Sequence, residues 1–339
     1  MKNVVIIGQS PAAYAAVKSL LERDPSVGIT LISCDGQLPY DRTLLSGLID
    51  RSVKESDIFC ATEDFFKSAQ VQVILGKEIS RINFNRKRIF MAEKTQVDFE
   101  GLIITDGAEP RWPAFKGVRR QGVFHLARLE SVKNLVRYLT FTETVLVEPL
   151  GFSGIKAALA LKAVGKDVIV AVRDEVLLSK ILCVDRAKVL ARALEKRGVR
   201  LILGGIDDII GETEVKAVRL KSGKVVACDM VVIEDVTADL RFLNDTELAA
   251  VDRILVSGPF RTHMPGVHAL DVVCRDEGLK FTGAYALNTD IGVLQASLAV
   301  AGLWGDDQTL TEVDLLPRDI LETFFHPEEL APVVSEVTS

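Results

Sequence analysis

The chain has 339 residues, of which 48% are hydrophobic, 26% charged and 6% aromatic, with a formal net charge of −6. This length predicts two or three domains with sizeable cores, and the hydrophobic content excludes a disordered chain. No apolar run approaches the roughly 18 residues that span a bilayer, and no basic block marks a nucleic-acid or membrane surface. The N-terminus opens on a strand pattern rather than a signal peptide. We therefore expect a cytoplasmic protein that binds neither nucleic acid nor membrane.

The cysteines and histidines show none of the spacings that bind metals. The five cysteines are far apart along the chain, at Cys34, Cys60, Cys183, Cys228 and Cys274. The sequence has no CxxC pair, zinc motif or iron–sulfur motif, and its four histidines form no cluster. We expect no metal site, and we expect the cysteines to be buried free thiols.

The N-terminal residues follow a strand, turn and helix pattern. Lys2–Ile7 is an apolar strand, the turn 8–13 begins with Gly8, and the helical stretch Ala15–Arg23 leads to a second strand at Gly28–Ser33. A glycine-containing turn between a strand and a helix is typical of dinucleotide sites, because backbone N–H groups there can approach a pyrophosphate.

The same unit recurs roughly 140 residues later. Thr144–Val147 is a strand, the turn 149–154 retains glycines, and the helix Ile155–Val164 leads to the strand Val168–Val172. Each copy continues with a strand, a two-strand pattern and a closing apolar strand. In the first copy these are Val71–Gly76, Arg81–Met91 and Leu102–Thr105. In the second copy they are Arg200–Gly204, Lys216–Ala227 and Met230–Ile233. The repeat predicts an α/β fold with two Rossmann-like dinucleotide-binding domains, each carrying a β-meander.

Five motifs give the chain a specific family resemblance. They are Val4–Ala13 (VVIIGQSPAA), Leu38–Gly47 (LPYDRTLLSG), Leu102–Pro113 (LIITDGAEPRWP), Arg261–Asp271 (RTHMPGVHALD) and Gln295–Gly305 (QASLAVAGLWG). In order and spacing the chain resembles the FAD-dependent pyridine nucleotide–disulfide oxidoreductase superfamily. The similar branch includes ferredoxin and rubredoxin reductases, NADH oxidases and the flavoprotein part of nitrite reductases.

The resemblance implies how the two domains are arranged along the chain. A discontinuous FAD-binding domain would comprise residues 1–115 and 243–310. A degenerate NAD(P)-binding-like domain, residues 116–242, would be inserted in it, and residues 311–339 would form a short C-terminal tail.

The resemblance also implies a set of FAD-binding positions. Gly8 occupies the first glycine position of the turn, while Ser10 and Ala13 stand at the second and third. Asp35 is the acid nearest the end of the second strand, where the family holds the adenosine ribose, and Asp271 matches the aspartate that binds the ribityl chain. The full expected set is Gly8, Ser10, Pro11, Ala12, Ala13, Asp35, Arg42, Ser46, Gly107 and Asp271, with Tyr40 and Asp41 in the same loop as Arg42. FAD is therefore the expected cofactor.

The second turn departs from the family's nicotinamide site. Pro149 replaces the first glycine and follows Glu148. Proline removes a backbone N–H, and a carboxylate repels a pyrophosphate. Val172 stands where the acid for the NAD ribose is expected, and the return strand ends in the carboxylates Glu234-Asp235. We expect weak or absent NAD(P)H binding, and we leave Arg173 open as either a contact for a 2′-phosphate or a surface residue.

No residue is assigned to catalysis. The chain lacks a CxxxxC pair after the first βαβ unit, which excludes disulfide reduction. Gly47 stands where the resembled branches have a peroxidatic cysteine or a lysine, and neither Cys34 nor Cys60 lies at the matching position. We expect the flavin itself to carry the redox chemistry.

Three functions remain open at this point. The favoured one is an FAD-containing oxidoreductase or electron-transfer flavoprotein subunit that exchanges electrons with a protein partner or a quinone-like molecule. The alternatives are a pseudoenzyme that serves as a structural subunit of a redox complex, and an NAD(P)H-dependent flavoprotein reductase.

The C-terminal segment predicts an interaction with another chain. The residues after Gly305 are too few for the small antiparallel interface domain of the resembled family. We expect a homo-oligomer or a hetero-complex, with the partner near Leu38–Gly47 and Phe281–Gly305. The alternative is that the tail folds back over the same surface.

Overall fold

The computed structural model describes residues 1–105, 108–174, 177–178, 184–248, 253–258, 260–276 and 289–306. The chain forms two compact units. Among the described residues, unit 1 comprises Met1–Thr43, Glu55–Glu109 and residues 237–306, and unit 2 comprises Leu44–Lys54 and Pro110–Val236. The predicted tail, 311–339, and part of the predicted partner surface, 281–288, lie outside the described residues.

The strands and helices are numbered in chain order. The strands are β1 (Asn3–Ile7), β2 (Gly28–Ser33), β3 (Gln72–Leu75), β4 (Ile79–Asn83), β5 (Arg88–Met91), β6 (Gln96–Asp98), β7 (Gly101–Ile104), β8 (Ala108–Pro110), β9 (Val123–His125), β10 (Thr144–Glu148), β11 (Asp167–Val172), β12 (Arg200–Leu203), β13 (Ile206–Ile210), β14 (Ala217–Leu220), β15 (Val225–Ala227), β16 (Met230–Ile233), β17 (Val236–Ala238), β18 (Ile254–Val256), β19 (Val267–Ala269) and β20 (Cys274–Asp276). The helices are α1 (Pro11–Arg23), α2 (Gly47–Asp50), α3 (Glu63–Ser68), α4 (Leu129–Tyr138), α5 (Phe152–Ala163), α6 (Val184–Lys196) and α7 (Thr289–Leu303).

Unit 1 is built on a five-stranded parallel sheet in the order β19-β7-β1-β2-β3. The apolar residues of β1 and β7 are buried on both faces of the sheet, as parallel strands covered on both sides require. Helices α1 and α7 pack against each other, and β4, β5 and β6 form the antiparallel meander. All the parallel strands therefore end at one edge of the sheet.

Unit 2 repeats this topology. Its parallel sheet has the order β12-β11-β10-β16-β9, and β13, β14 and β15 form its meander. In both units the first strand of the βαβ motif lies at the centre, between the second strand and the strand that follows the meander. The predicted α/β class with two Rossmann-like units, each carrying a meander, is confirmed.

Both helices of the repeat begin earlier than the sequence pattern indicates. Helix α1 begins at Pro11, because Ser10 has the extended backbone of an N-cap residue and proline is favoured in the first helical position. Helix α5 likewise begins at Phe152, directly after the N-cap Gly151. In the part of the chain that the structure describes, no helix is long and apolar enough to cross a membrane.

Candidate functional site

The turn after β1 has the geometry that the glycine predicts. Gly8 has a φ of 149°, in the region that only glycine adopts readily, and its N–H donates a 2.8 Å hydrogen bond to the carbonyl of Ile32 in β2. This bond holds the turn close to the end of β2 while the chain enters α1. Ala12 and Ala13 in the first turn of α1 are buried, so a larger residue there would separate the helix from the sheet.

The side chain of Ser10 is directed away from the start of α1. Its Oγ lies 3.5 Å from Oγ1 of Thr105, the residue that follows β7, and it makes no capping hydrogen bond. Pro11 has no N–H to satisfy. The carbonyl of Ser10 accepts the N–H groups of Ala13 and Tyr14, at 3.0 and 3.3 Å, and no acceptor for the N–H of Ala12 lies among the described residues.

Asp35 lies at the end of β2, but its carboxylate is engaged within its own loop. It accepts hydrogen bonds from the N–H of Gln37 at 2.9 Å and from the hydroxyl of Tyr40 at 3.1 Å. Ser33 Oγ lies 3.3 Å from the same carboxylate. Asp35 therefore fixes the loop after β2, and its predicted contact with a ribose would add to these bonds.

The loop 38–47 divides between the two units. In unit 1, Tyr40 is completely buried and the guanidinium of Arg42 lies 5.9 Å from the centre of its ring. Asp41 accepts hydrogen bonds from the hydroxyl and the N–H of Thr43, at 2.7 and 2.8 Å. Ser46 is buried in unit 2, where it precedes α2. The roles of Arg42 and Ser46 toward a flavin stay predictions.

Asp271 follows β19 in a strained conformation. Its φ is 61°, in the left-handed region that residues other than glycine rarely adopt, and the residue is buried. The N–H of Asp271 donates a 2.8 Å hydrogen bond to Oε1 of Gln295 in α7. Such strain persists only where neighbouring contacts fix the backbone, and it is common at ligand sites. Gln295 is one of those contacts.

Gln295 was not among the residues predicted for the site. Its side chain is fully buried, and its Nε2 has no hydrogen-bond partner among the described residues. The sequence feature that could have indicated Gln295 is its polar side chain at the start of the largely apolar motif Gln295–Gly305. The structure thus places Gly8, Asp35 and Asp271 after parallel strands at one edge of the sheet, and it adds Gln295. Gly107, the remaining predicted residue, lies outside the described residues.

Two of the described cysteines, Cys60 and Cys228, are held as thiols. Burial, with a smaller contribution from the charge of Asp41, raises the pKa of Cys60 to about 12. Burial and the charge of Asp229 raise the pKa of Cys228 to about 12 in the same way. Cys34 is exposed, so the expectation that all the cysteines are buried is wrong for this one. Among the described residues, no group of histidine, cysteine, aspartate or glutamate side chains forms a metal site.

In unit 2 the N-terminus of α5 is occupied by a carboxylate of the chain itself. Oε2 of Glu234 accepts hydrogen bonds from the N–H groups of Gly154 at 2.7 Å, Gly151 at 2.9 Å and Leu150 at 3.3 Å. Glu234 directly follows β16 and is 5% exposed, and in the described part of the chain its Oε1 has no hydrogen-bond partner. The sequence identified this residue as a repulsive charge, whereas the structure shows it bound to the helix.

A second buried carboxylate binds Arg173. Glu148, at the end of β10, is 1% exposed; its Oε2 lies 2.6 Å from the guanidinium of Arg173, and its Oε1 accepts the N–H of Ile206 at 2.9 Å. Asp235 lies 3.7 Å from the same guanidinium. Arg173 is therefore neither a simple surface residue nor a free cation for a 2′-phosphate, because its charge is already compensated.

A cavity of about 670 Å³ lies beside this ion-pair cluster. Its walls include Phe115 and Ile206, together with the charged side chains of Arg173, Asp235 and Lys221. The volume falls in the range of small-molecule pockets. Both signs of charge are present in the lining, so the cavity gives no clear preference for an anionic ligand.

Comparison with known proteins shows what this arrangement is similar to. Residues 2–284 match the family described as "Pyridine nucleotide-disulphide oxidoreductase". The chain is 24% identical to "Probable ferredoxin reductase CtmF" of Castellaniella defragrans, covering 92% of this chain and 78% of that protein. It is 25% identical to "Rubredoxin-NAD(+) reductase" of Pseudomonas putida, covering 93% of this chain and 82% of that one.

Solved structures show the same fold. A ferredoxin reductase from Rhodopseudomonas palustris superposes with a TM-score of 0.84 at 21% identity, covering 92% of this chain and 78% of that chain. The reductase of a covalent putidaredoxin reductase–putidaredoxin complex superposes with a TM-score of 0.83 at 17% identity, covering 92% and 77%.

The buried Glu234 predicts a specific pH dependence of stability. Burial raises the pKa of Glu234 from 4.5 to about 7, and the backbone hydrogen bonds of Gly151, Gly154 and their neighbours only partly oppose the shift. The folded protein holds this proton more tightly than the unfolded chain. The carboxyl group therefore favours folding at low pH, and that contribution is lost as the pH rises from 4.5 through 7.

Glu234→Gln, which is neutral and of equal size, should remove this contribution. The difference in the free energy of unfolding, variant minus wild type, should therefore increase by on the order of 3 kcal/mol from about pH 5 to about pH 8. Denaturant titrations at the two pH values measure the difference, with the exposed Glu212→Gln as control. A constant difference between variant and wild type at both pH values would contradict the prediction.

Proposed function

We propose, since the chain belongs to the pyridine nucleotide-disulphide oxidoreductase family, that it is an FAD-containing oxidoreductase that works as an electron-transfer subunit and binds NAD(P)H weakly or not at all. The observation that carries this proposal is the contrast between the two turns. The start of α1 has no side-chain cap from Ser10 and no carboxylate bound to it among the described residues, whereas the start of α5 already holds Glu234.

The residues of unit 1 fit a flavin dinucleotide. The turn at Gly8 brings backbone N–H groups to the carboxyl edge of the sheet, where the dipole of α1 favours a pyrophosphate. Asp271 presents a buried carboxylate at the same edge and Arg42 a cation in the loop after β2. When bound, FAD would supply the redox chemistry, and these residues would bind and orient it.

Three features of unit 2 support weak NAD(P)H binding. Pro149 lacks the N–H that the first glycine would present, Glu234 occupies the remaining donors, and Arg173 is neutralised by Glu148. Substituting Glu148, Pro149 and Val172 together would not suffice to restore binding. It would leave Arg173 without its closest partner and Glu234 in place.

A protein partner then becomes the expected electron donor or acceptor. The proteins similar to this chain include reductases named for ferredoxin, rubredoxin and putidaredoxin, which are protein electron carriers. Two alternatives stay open. The bound Glu234 favours a structural subunit with no turnover, whereas the NAD(+) in the name of the rubredoxin reductase favours an NAD(P)H-dependent reductase.

The flavin spectrum and its response to NADH separate these functions. We expect purified protein to carry flavin and NADH to bind with a dissociation constant weaker than about 1 mM, so that micromolar NADH does not bleach the spectrum. Titration calorimetry and anaerobic mixing measure both properties. Rapid bleaching would support the NAD(P)H-dependent reductase instead, and protein free of flavin would support the structural subunit.

Gly8→Val should yield folded protein without stoichiometric flavin, because a β-branched side chain is strained at this φ and would occupy the space of the pyrophosphate. The ratio of absorbance at the flavin band to that of the protein measures occupancy. Gly165→Val is a matched control, since Gly165 also has a positive φ, of 81°, but has open space around it. Equal flavin content in both variants would argue against the turn as the cofactor site.

Gln295→Leu should weaken flavin retention. The variant removes the acceptor for the N–H of Asp271, so the strained backbone is no longer fixed and must be ordered when flavin binds; we expect a loss of flavin affinity of about tenfold. Flavin release on dilution is measured by fluorescence. Ser297→Ala, an exposed position on the same helix, should retain flavin as the wild type does. Unchanged release from Gln295→Leu would show that Asp271 does not need this contact.

A further inference from the structure

The contact between Glu234 and α5 has the geometry of a bound phosphate group. Helix α5 has 12 residues and begins at Phe152, directly after the N-cap Gly151. A single oxygen of Glu234 accepts the N–H of Gly154 in the first turn of the helix and those of Leu150 and Gly151 in the turn before it, at 2.7 to 3.3 Å. In a Rossmann turn these donors and the positive end of the helix dipole are what a pyrophosphate uses.

The glycines that remain in the second turn face this carboxylate. A Cβ added to Gly154 would lie 2.5 Å from Oε2 of Glu234, and one added to Gly151 would lie 2.9 Å from Oε1. Both contacts are shorter than van der Waals packing allows. The two glycines therefore admit the side chain of Glu234 to the helix, in the way that such glycines admit a phosphate.

The backbone of Glu234 is also held in place, by the neighbouring strand β10. Its N–H donates a 3.2 Å hydrogen bond to the carbonyl of Glu148, and the register of β16 against β10 pairs Ile233 with Glu148. The side chain starts from a rigid strand end and is almost fully buried. A dinucleotide could reach the N–H groups only if this buried group were displaced.

We propose that Glu234 is the residue that determines ligand specificity in unit 2, acting as a built-in substitute for the pyrophosphate of a dinucleotide. The inference rests on the weak NAD(P)H binding of the proposed function and names its cause. The main cause is occupancy of the donors by Glu234, to which the loss of glycine at Pro149 and of an acid at Val172 only add.

The test compares ADP and inorganic pyrophosphate binding to the full-length wild type, Glu234→Ala and Glu234→Gln. Alanine vacates the N–H donors, whereas glutamine removes the charge but still fills their position. We expect ADP to bind Glu234→Ala at least about tenfold more tightly than the wild type, and glutamine to leave binding as weak as in the wild type. Glu212→Ala controls for the loss of one negative charge from the same unit.

Thermal unfolding gives a second measurement. Alanine leaves buried N–H groups without acceptors, so we expect Glu234→Ala to unfold at a lower temperature and to be stabilised by pyrophosphate. No such stabilisation is expected for the wild type. An ADP affinity that is equal in wild type and Glu234→Ala, or glutamine that binds as well as alanine, would overturn the proposal.

The wild type alone also tests the contact. Hydrogen exchange should show the N–H groups of Gly151 and Gly154 protected without any added nucleotide, and ADP should leave that protection unchanged. Rapid exchange at both positions would refute the inference even if Glu234→Ala proved too unstable to purify.

These results separate the inference from the proposed function. Protein without flavin, or a flavin rapidly bleached by NADH, would refute the proposed function. The inference fails only on the nucleotide titrations and exchange of unit 2, which do not depend on the flavin.

Discussion

Helices α1 and α5 both begin at the carboxyl edge of a parallel sheet, where the first N–H groups of a helix lack the acceptors that later turns have. An anion or a polar group at that end stabilises either helix. At α1 the carbonyl of Ser10 accepts the N–H groups of Ala13 and Tyr14, and the side chain of Ser10 is directed to Thr105. At α5 the chain meets the need itself, with Glu234. The difference in ligand binding that we propose for the two units follows from this one requirement.

Because Glu234 caps α5, this helix has an acceptor for its N–H groups whether or not a dinucleotide is bound. A helix capped by its own chain does not depend on a bound cofactor for that cap, so the fold of unit 2 does not require a dinucleotide at this position. The capping group is nevertheless a buried acid with a pKa raised to about 7, so part of the stabilisation is lost when the group ionises. The pairing of Glu148 with Arg173 neutralises a second buried carboxylate nearby, as burial of a charge demands.

In unit 1 the same edge of the sheet retains features that a cofactor would use. Asp271 holds a left-handed backbone that costs free energy, and Gln295 supports it from α7. The amide of Gln295 still has an unused donor in a fully buried position. Strain and an unsatisfied polar group are unfavourable in a purely structural core, and both are understandable beside a ligand.

The repeated βαβ and meander units could be predicted from the order of the residues, because strand and helix periodicity and the glycine turns are local patterns. The turn at Gly8 and the missing N–H at Pro149 could be predicted too, since both arise in the backbone of a single residue. The contact of Glu234 with α5 is visible only in the folded chain, because Glu234 lies 80 residues from Gly154 in sequence and reaches it through the register of β16 beside β10. The same is true of the pairing of Arg173 with Glu148 and the support of Asp271 by Gln295. Side-chain contacts across adjacent strands and helices depend on which elements are neighbours, and residue spacing along the chain does not contain that information.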